Sequence, residues 1–260
     1  MATLLVVSLT PGSGKSTIVA GLAGKLGASG GHILEAPAGD LAQALSEQPG
    51  ARAIVVATPA TSPADLAAYI GNNSIAGVIL NRVPAKRAVP IRAAYEAAGV
   101  RLLGIVPEDR LLAAPSIGQV AEALGGDSEQ LNGNSDRLLE RVVIASIAAD
   151  PGQSYFDRTK ANAIIVRSDK PDLQLAALNT GPICLIVTGG LPVLSYVLER
   201  VADEEIPLVR TKLDTTQAVG AIEGLFGSQP FSGSADKLRR IEELLAGVDV
   251  DALVRFPAAG

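Results

Sequence analysis

Residues 3–22 read TLLVVSLTPGSGKSTIVAGL, and this stretch decides the first half of the fold. Five apolar or β-branched residues run into Thr10-Pro11-Gly12-Ser13-Gly14-Lys15-Ser16-Thr17, and an apolar-periodic segment follows. The pattern is a buried strand, a glycine-rich turn and a helix. Glycines let backbone amides point at phosphate oxygens without side-chain interference, and the helix N-terminus adds partial positive charge. Lys15 is placed to reach the β- and γ-phosphates of a nucleotide, and the Ser16 hydroxyl to ligate Mg²⁺. The full pattern has a glycine five residues before Gly14, where this chain has Leu9. The competing reading is a Gly/Ser-rich turn with a surface lysine.

Outward from the loop, short apolar runs alternate with amphipathic ones. Strands are predicted at Thr3–Ser8, His32–Ala36, Ala53–Ala57, Ala76–Leu80 and Arg101–Val106, and helices at Lys15–Leu26, Leu41–Glu47, Pro63–Ile70, Val89–Ala98 and Ile117–Leu124. Continuous Val/Ile/Leu runs suit strands buried on both faces, so the fold class is α/β, a parallel sheet with helices on both faces. The polar stretch GGDSEQLNGNSD at 125–136 reads as a break. The expected organisation is a loop-bearing domain over 1–125, a linker over 126–136, a smaller α/β domain over 137–227 and a tail over 228–260. In the second domain, strands are expected at Arg141–Ser146, Ala163–Val166, Ile183–Val187 and Leu208–Arg210, and helices at Asp172–Leu178, Pro192–Ala202 and Thr215–Leu225. The tail carries an amphipathic helix, Ala235–Ala246, suited to pack on either domain or on a partner chain.

Composition narrows the function. The chain has 260 residues, 48% hydrophobic and 19% charged, a profile of folded domains. A net charge of −5 and 3% aromatics disfavour a nucleic-acid footprint. One Cys and one His exclude an intramolecular disulfide, a cysteine zinc site and a multi-histidine centre. Mean hydropathy is +0.31, yet no apolar run reaches the ~18 residues of a membrane span. A cytoplasmic protein with no membrane partner is expected.

Other residues complete the candidate sites. In HILEAP, Glu35 lies near the end of the second strand, where open α/β sheets place ligand-binding groups. It is a candidate Mg²⁺ ligand or a solvated strand-end carboxylate, and Asp40 is the next candidate. His32 reads as structural. In GVILNRV, Asn81 is able to hydrogen-bond a base edge and Arg82 to stack on the base. Alternatively, Asn81 ends the strand and caps the next element. In the second domain, Thr188-Gly189-Gly190 ends an apolar strand and Asp214-Thr215-Thr216 opens a helix. Each is a turn or a cap when taken alone. Together at one sheet edge they can line a pocket for a small polar or phosphorylated ligand. Cys184 reads as an inert core thiol.

TPGSGKST, ILEAP, GVILNRV and LLGIVPED stand in the order seen in dethiobiotin-synthetase-like P-loop domains, and residues 1–125 resemble the version at the N-terminus of long phosphotransacetylases. That resemblance implies Mg-ATP or a related nucleotide on Pro11, Gly12, Ser13, Gly14, Lys15, Ser16 and Thr17, with Glu35 on the metal and Asn81 on adenine. RSDKPDLQLAAL (167–178), CLIVTGGLP (184–192) and PLVRTKLDTTQAV (207–219) resemble a DRTGG domain. Asp169, Thr188, Gly189, Gly190, Asp214, Thr215 and Thr216 fall on its signature, with Lys170 where that family has arginine. The resemblance covers only the accessory part of phosphotransacetylases, without their catalytic domain. The five residues GASGG precede HILEAP, where dethiobiotin synthetases carry an additional helix–strand region that serves substrate and metal.

The expectation is a nucleotide-binding regulatory or sensor protein, a homodimer with a possible second small ligand on its DRTGG-like half. The alternatives are an ATP-dependent ligase of the dethiobiotin or cobyrinic acid a,c-diamide synthase type, and an interaction module with a vestigial loop. No catalytic residue is assigned.

Overall fold

The apolar runs form two sheets, described in a computed structural model that covers residues 3–28, 32–39, 41–70, 74–145 and 163–248. The chain divides into two compact units, Met1–Asp109 with Phe231–Gly260, and Arg110–Pro230.

In the first unit, strands β1 (Thr3–Val7), β2 (His32–Glu35), β3 (Arg52–Ala57), β4 (Ile75–Val83) and β5 (Leu102–Pro107) form a parallel sheet ordered β2-β1-β3-β4-β5. The chain steps one way from β1 to β2 and then crosses to β3 on the other side of β1, so the sheet's switch point lies between β1 and β3. Leu5, Val7, Val55, Ala57, Val78 and Leu80 face one core with Leu66, Ile91 and Tyr95. The alternate residues Val6, Ile54, Val56 and Ile79 are equally buried. Burial on both faces is why these strands read as unbroken apolar runs.

The loop after β1 opens helix α1 (Lys15–Ala28). Helices α2 (Leu41–Glu47), α3 (Pro63–Ile70) and α4 (Ala88–Ala97) follow β2, β3 and β4. β4 is longer than predicted and carries Asn81 and Arg82 within it. Its pairing with β5 shifts register between Leu80 and Val83.

The second unit opens with α5 (Arg110–Ala113) and α6 (Ile117–Leu124). Strands β6 (Asp127–Glu129), β7 (Val142–Ile144), β8 (Ala163–Arg167), β9 (Cys184–Thr188) and β10 (Leu208–Arg210) make a sheet ordered β6-β10-β9-β8-β7. β6 is antiparallel to β10 and the other pairs are parallel. Helices α7 (Pro171–Leu178), α8 (Ser195–Asp203) and α9 (Thr215–Glu223) follow β8, β9 and β10. Side chains alternate between two cores. Ile164, Val166, Leu185 and Val187 face one side with Val197 and Val201; Ala163, Ile165, Cys184 and Ile186 face the other with Ile117, Val120 and Ile222.

Two expectations about organisation differ from this arrangement. The division falls at Asp109/Arg110, so α6, read as part of the first domain, belongs to the second unit. The 126–136 segment is not a linker. Residues 127–129 of it are the edge strand β6, where Glu129 pairs with Arg210 at 2.9 Å. A three-residue, polar edge strand has the composition of a loop. Gly126 is required there, because a Cβ would lie 1.7 Å from the Arg210 carbonyl oxygen. The expected helix from Pro192 begins instead at Ser195. Ser146, the last residue of one predicted strand, lies outside the described residues.

The tail helix, α10 (Ala235–Leu244), returns to the first unit and packs on α1. Lys25 Nζ donates to the Leu245 carbonyl at 2.9 Å, and Arg240 Nε meets Asp109 at 2.8 Å.

Candidate functional site

The candidate site forms where the switch point of the first sheet meets the glycine-rich loop after β1. Ser8 and Ser13 are buried while Pro11 and Gly12 are exposed, so the loop arches over the end of β1. Gly12 and Gly14 take φ of +73° and +83°, a conformation that favours glycine. Gly14 also has no room for a side chain, since a Cβ would stand 2.2 Å from Asn81 Nδ2. Leu9 packs against the sheet core, which accounts for its apolar character.

Strand β2 brings its end beside the loop through the register Val6↔Glu35. Ser16, in the first turn of α1, donates from Oγ to Glu35 Oε1 at 3.0 Å. Lys15 Nζ lies 4.0 Å from the same carboxylate oxygen and donates to the Ala36 carbonyl. Lys15, Ser16 and Glu35 thus converge. Ser13 Oγ is buried, with no hydrogen-bond partner among the described residues. Thr17 follows in the same helical turn and is half-buried. Asp40 lies outside the described residues.

The facing side comes from β3, β4 and β5. An open cleft of about 520 Å³ is lined by the loop residues Thr10–Ser13, by Thr58-Pro59-Ala60 after β3, and by Arg82, Pro84 and Glu108. Asn81 is buried; its Nδ2 donates to the Ser13 carbonyl at 2.9 Å and its Oδ1 accepts from the Arg82 amide at 3.0 Å. Arg82 has φ of +56° and an exposed side chain on the cleft.

Sequence reasoning missed Thr58, Pro59, Ala60, Pro84 and Glu108. One signal was available, because Thr-Pro follows β3 just as it follows β1. It also missed Tyr95, whose buried hydroxyl donates to the Thr61 carbonyl and lies 3.4 Å from that of Thr58, anchoring the loop after β3. Burial holds the Tyr95 phenol above its ordinary pKa.

The donor chemistry suits a nucleotide with Mg²⁺. Ser16 and Glu35 offer hard oxygen ligands, and Lys15, Gly14 and the unpartnered Ser13 hydroxyl surround the loop. Among the described residues no three His, Cys, Asp or Glu side chains gather as a metal cage. Mg²⁺ commonly keeps waters and substrate phosphates as its remaining ligands.

In the second unit the signature residues meet at the C-terminal ends of β8, β9 and β10. Thr188 Oγ1 and Thr215 Oγ1 are 3.0 Å apart. Asp169 is held by Arg167 at 2.6 and 2.9 Å, and Lys170 is exposed. Gly189 and Gly190 have positive φ, but their amides donate to the carbonyls of Leu213 and Thr211. They fasten β9 to the β10–α9 connection. Asp214 forms a capping box with Gln217, accepting from its amide at 2.8 Å while the Gln217 side chain accepts at 3.1 Å. Thr216 is exposed in the first turn of α9. Gln174 is fully buried beneath the end of β8; Nε2 donates to the carbonyls of Arg167 and Ser168, and Oε1 has no partner among the described residues. Burial pushes the Cys184 thiol up to about 12, which keeps it protonated.

The chain is an α/β protein with a glycine-rich loop at the switch point of a parallel sheet and a second α/β unit with a mixed sheet. Residues 119–225 match the DRTGG domain family, so a DRTGG domain is present, beginning earlier than the expected 137. A solved structure similar to this chain is that of the CBS and DRTGG domains of the regulatory region of Clostridium perfringens pyrophosphatase, complexed with its activator diadenosine tetraphosphate. It is 15% identical, with 65% of this chain and 72% of that chain covered and a TM-score of 0.38. Among the described residues no helix is long and apolar enough to cross a membrane.

Proposed function

We propose that the chain is a nucleotide-binding regulatory protein in which a dethiobiotin-synthetase-like P-loop unit is joined to a ligand-sensing DRTGG domain. The observation that carries this reading is the convergence of Lys15, Ser16 and Glu35 beside a loop whose buried Ser13 hydroxyl has no partner among the described residues. The loop amides and Lys15 hold the β- and γ-phosphates of ATP or a related nucleotide. Ser16 and Glu35 would hold Mg²⁺, which would supply positive charge between those phosphates and the carboxylate. Binding then requires Lys15 to exchange the Ala36 carbonyl for phosphate oxygens. A regulatory effect requires unequal nucleotide affinity in two conformations of the protein. On this reading the DRTGG domain supplies self-association to a homodimer and a second ligand site near Thr188 and Thr215.

Calorimetric titration of Mg-ATP, with Mg-ADP alongside, into the wild type and Lys15→Ala tests the proposal. Binding by the wild type and a loss of roughly 10–100-fold in the variant are expected, the range for removing a charged hydrogen-bonding group. Absence of binding by the wild type at millimolar nucleotide overturns it.

A further inference from the structure

The two β4 residues assigned together to a nucleotide base stand differently. Arg82 is exposed on the cleft, whereas Asn81 is only 5% exposed. Both ends of the Asn81 amide are engaged within the protein. Nδ2 donates to the Ser13 carbonyl and Oδ1 accepts from the Arg82 N–H. A carbonyl only accepts and an N–H only donates, so these partners fix the orientation of the amide. The backbone is built around the arrangement. Arg82 takes a left-handed φ of +56°, and the β4–β5 ladder shifts register across this pair. The irregularity turns the Arg82 N–H onto Asn81, as bulges beside functional sites re-aim groups. From the other side, Gly14 approaches so closely that a Cβ would lie 2.2 Å from Asn81 Nδ2.

We propose that Asn81 is a positioning residue for the phosphate loop and not a reader of the base. It holds the Ser13 carbonyl from behind, which fixes the Ser13–Gly14 peptide against β4. Each end of the amide keeps one further hydrogen-bonding position, but Asn81 is buried and is not among the residues that line the cleft, so a base in the cleft does not reach it unless the side chain turns away from Ser13. Its contribution to binding therefore acts on the polyphosphate and is blind to the base. This rests on the nucleotide-binding reading above, but the brace itself exists without ligand.

The test titrates the full chain with Mg-ATP, Mg-GTP and Mg-tripolyphosphate, comparing wild type with Asn81→Ala. Hydrogen exchange of residues 10–14 is followed in parallel with no ligand. The expected result is one common factor of loss for all three ligands, roughly tenfold. Exchange at the loop should be about tenfold faster, with β1 and β3 unchanged. Should Asn81→Ala fail to fold, the isosteric Asn81→Asp keeps the acceptor for Arg82 and loses the donor to Ser13, and is read the same way. Loss of ATP affinity with tripolyphosphate affinity intact overturns the proposal, as does unchanged exchange at the loop. If the wild type binds none of the three, the nucleotide reading fails and loop exchange alone decides the brace.

Discussion

Helix α10 docks on α1 across a glycine, and the consequence can be worked out from distances. A Cβ added at Gly21 would stand 2.7 Å from Ile241 Cγ1 and 2.7 Å from Leu245 Cδ1. Carbon atoms in contact prefer ~3.5–4.0 Å, so Gly21→Ala demands about 1 Å of movement from two side chains. Both are fully buried. Overpacking of this kind costs about 1–3 kcal/mol. Against it stands the gain of alanine over glycine inside a helix, about 1 kcal/mol. The net expectation is a destabilisation of up to ~2 kcal/mol, localised to the α1–α10 contact. Gly27 is the control on the same helix. It is exposed, and its Cβ would meet nothing within 4 Å. Gly27→Ala therefore retains only the propensity gain, up to about 1 kcal/mol and smaller so near the helix end. The two substitutions should shift stability in opposite directions. A chain with two compact units need not melt in one step. Hydrogen exchange of the α10 amides is therefore the primary assay, with urea unfolding beside it. Protection of α10 at or above the wild-type level in Gly21→Ala would refute the packing argument.

Two further outcomes test the second unit. Cys184 is the chain's sole cysteine and its thiol is held near 12 by burial, so at pH 8 a thiol reagent should leave the native protein unlabelled and react only as urea opens the domain; rapid stoichiometric labelling of the native chain would contradict the buried position. Asp214→Ala removes the α9 capping box and should cost ~1 kcal/mol, read as faster exchange in the first turn of α9, with Asp214→Asn restoring most of it. Unchanged exchange in the alanine variant would argue that the carboxylate has a role other than capping.

The strands were legible because β3, β4, β8 and β9 are buried on both faces and leave unbroken apolar runs. The α9 cap was legible too, since an Asp at the N-cap with Gln three residues later is a local signal. What failed was assignment between units. The periodicity of α6 announces a helix but does not say which sheet it covers, and its apolar face packs with Cys184, Ile186 and Ala218 far along the chain. β6 was missed because an edge strand three residues long needs no apolar face. The docking surface of α10 was written only in Gly21 and Gly24, which look like helix-weakening residues until a neighbour is supplied. At the site, the loop motif was plain, while the engagement of Asn81 depends on a register shift that no periodicity encodes.

The site is asymmetric in a way that bears on what it does. In P-loop hydrolases a second acidic residue joins the loop hydroxyl on the metal, and a further group positions the attacking water. Here the carboxylate beside Ser16 comes from β2. On the other side of β1, β3 ends at Ala57 and runs into Thr58-Pro59-Ala60, which offers one hydroxyl and no ionisable group. Among the described residues lining the cleft, Glu108 is the one carboxylate, and its exposed position leaves it beside solvent. A synthetase would in addition need groups to hold a second substrate. Only residues 29–31 separate the end of α1 from the start of β2, which leaves little chain for them. On the proposed reading the first quantity to measure is nucleotide occupancy, and turnover follows once occupancy is established.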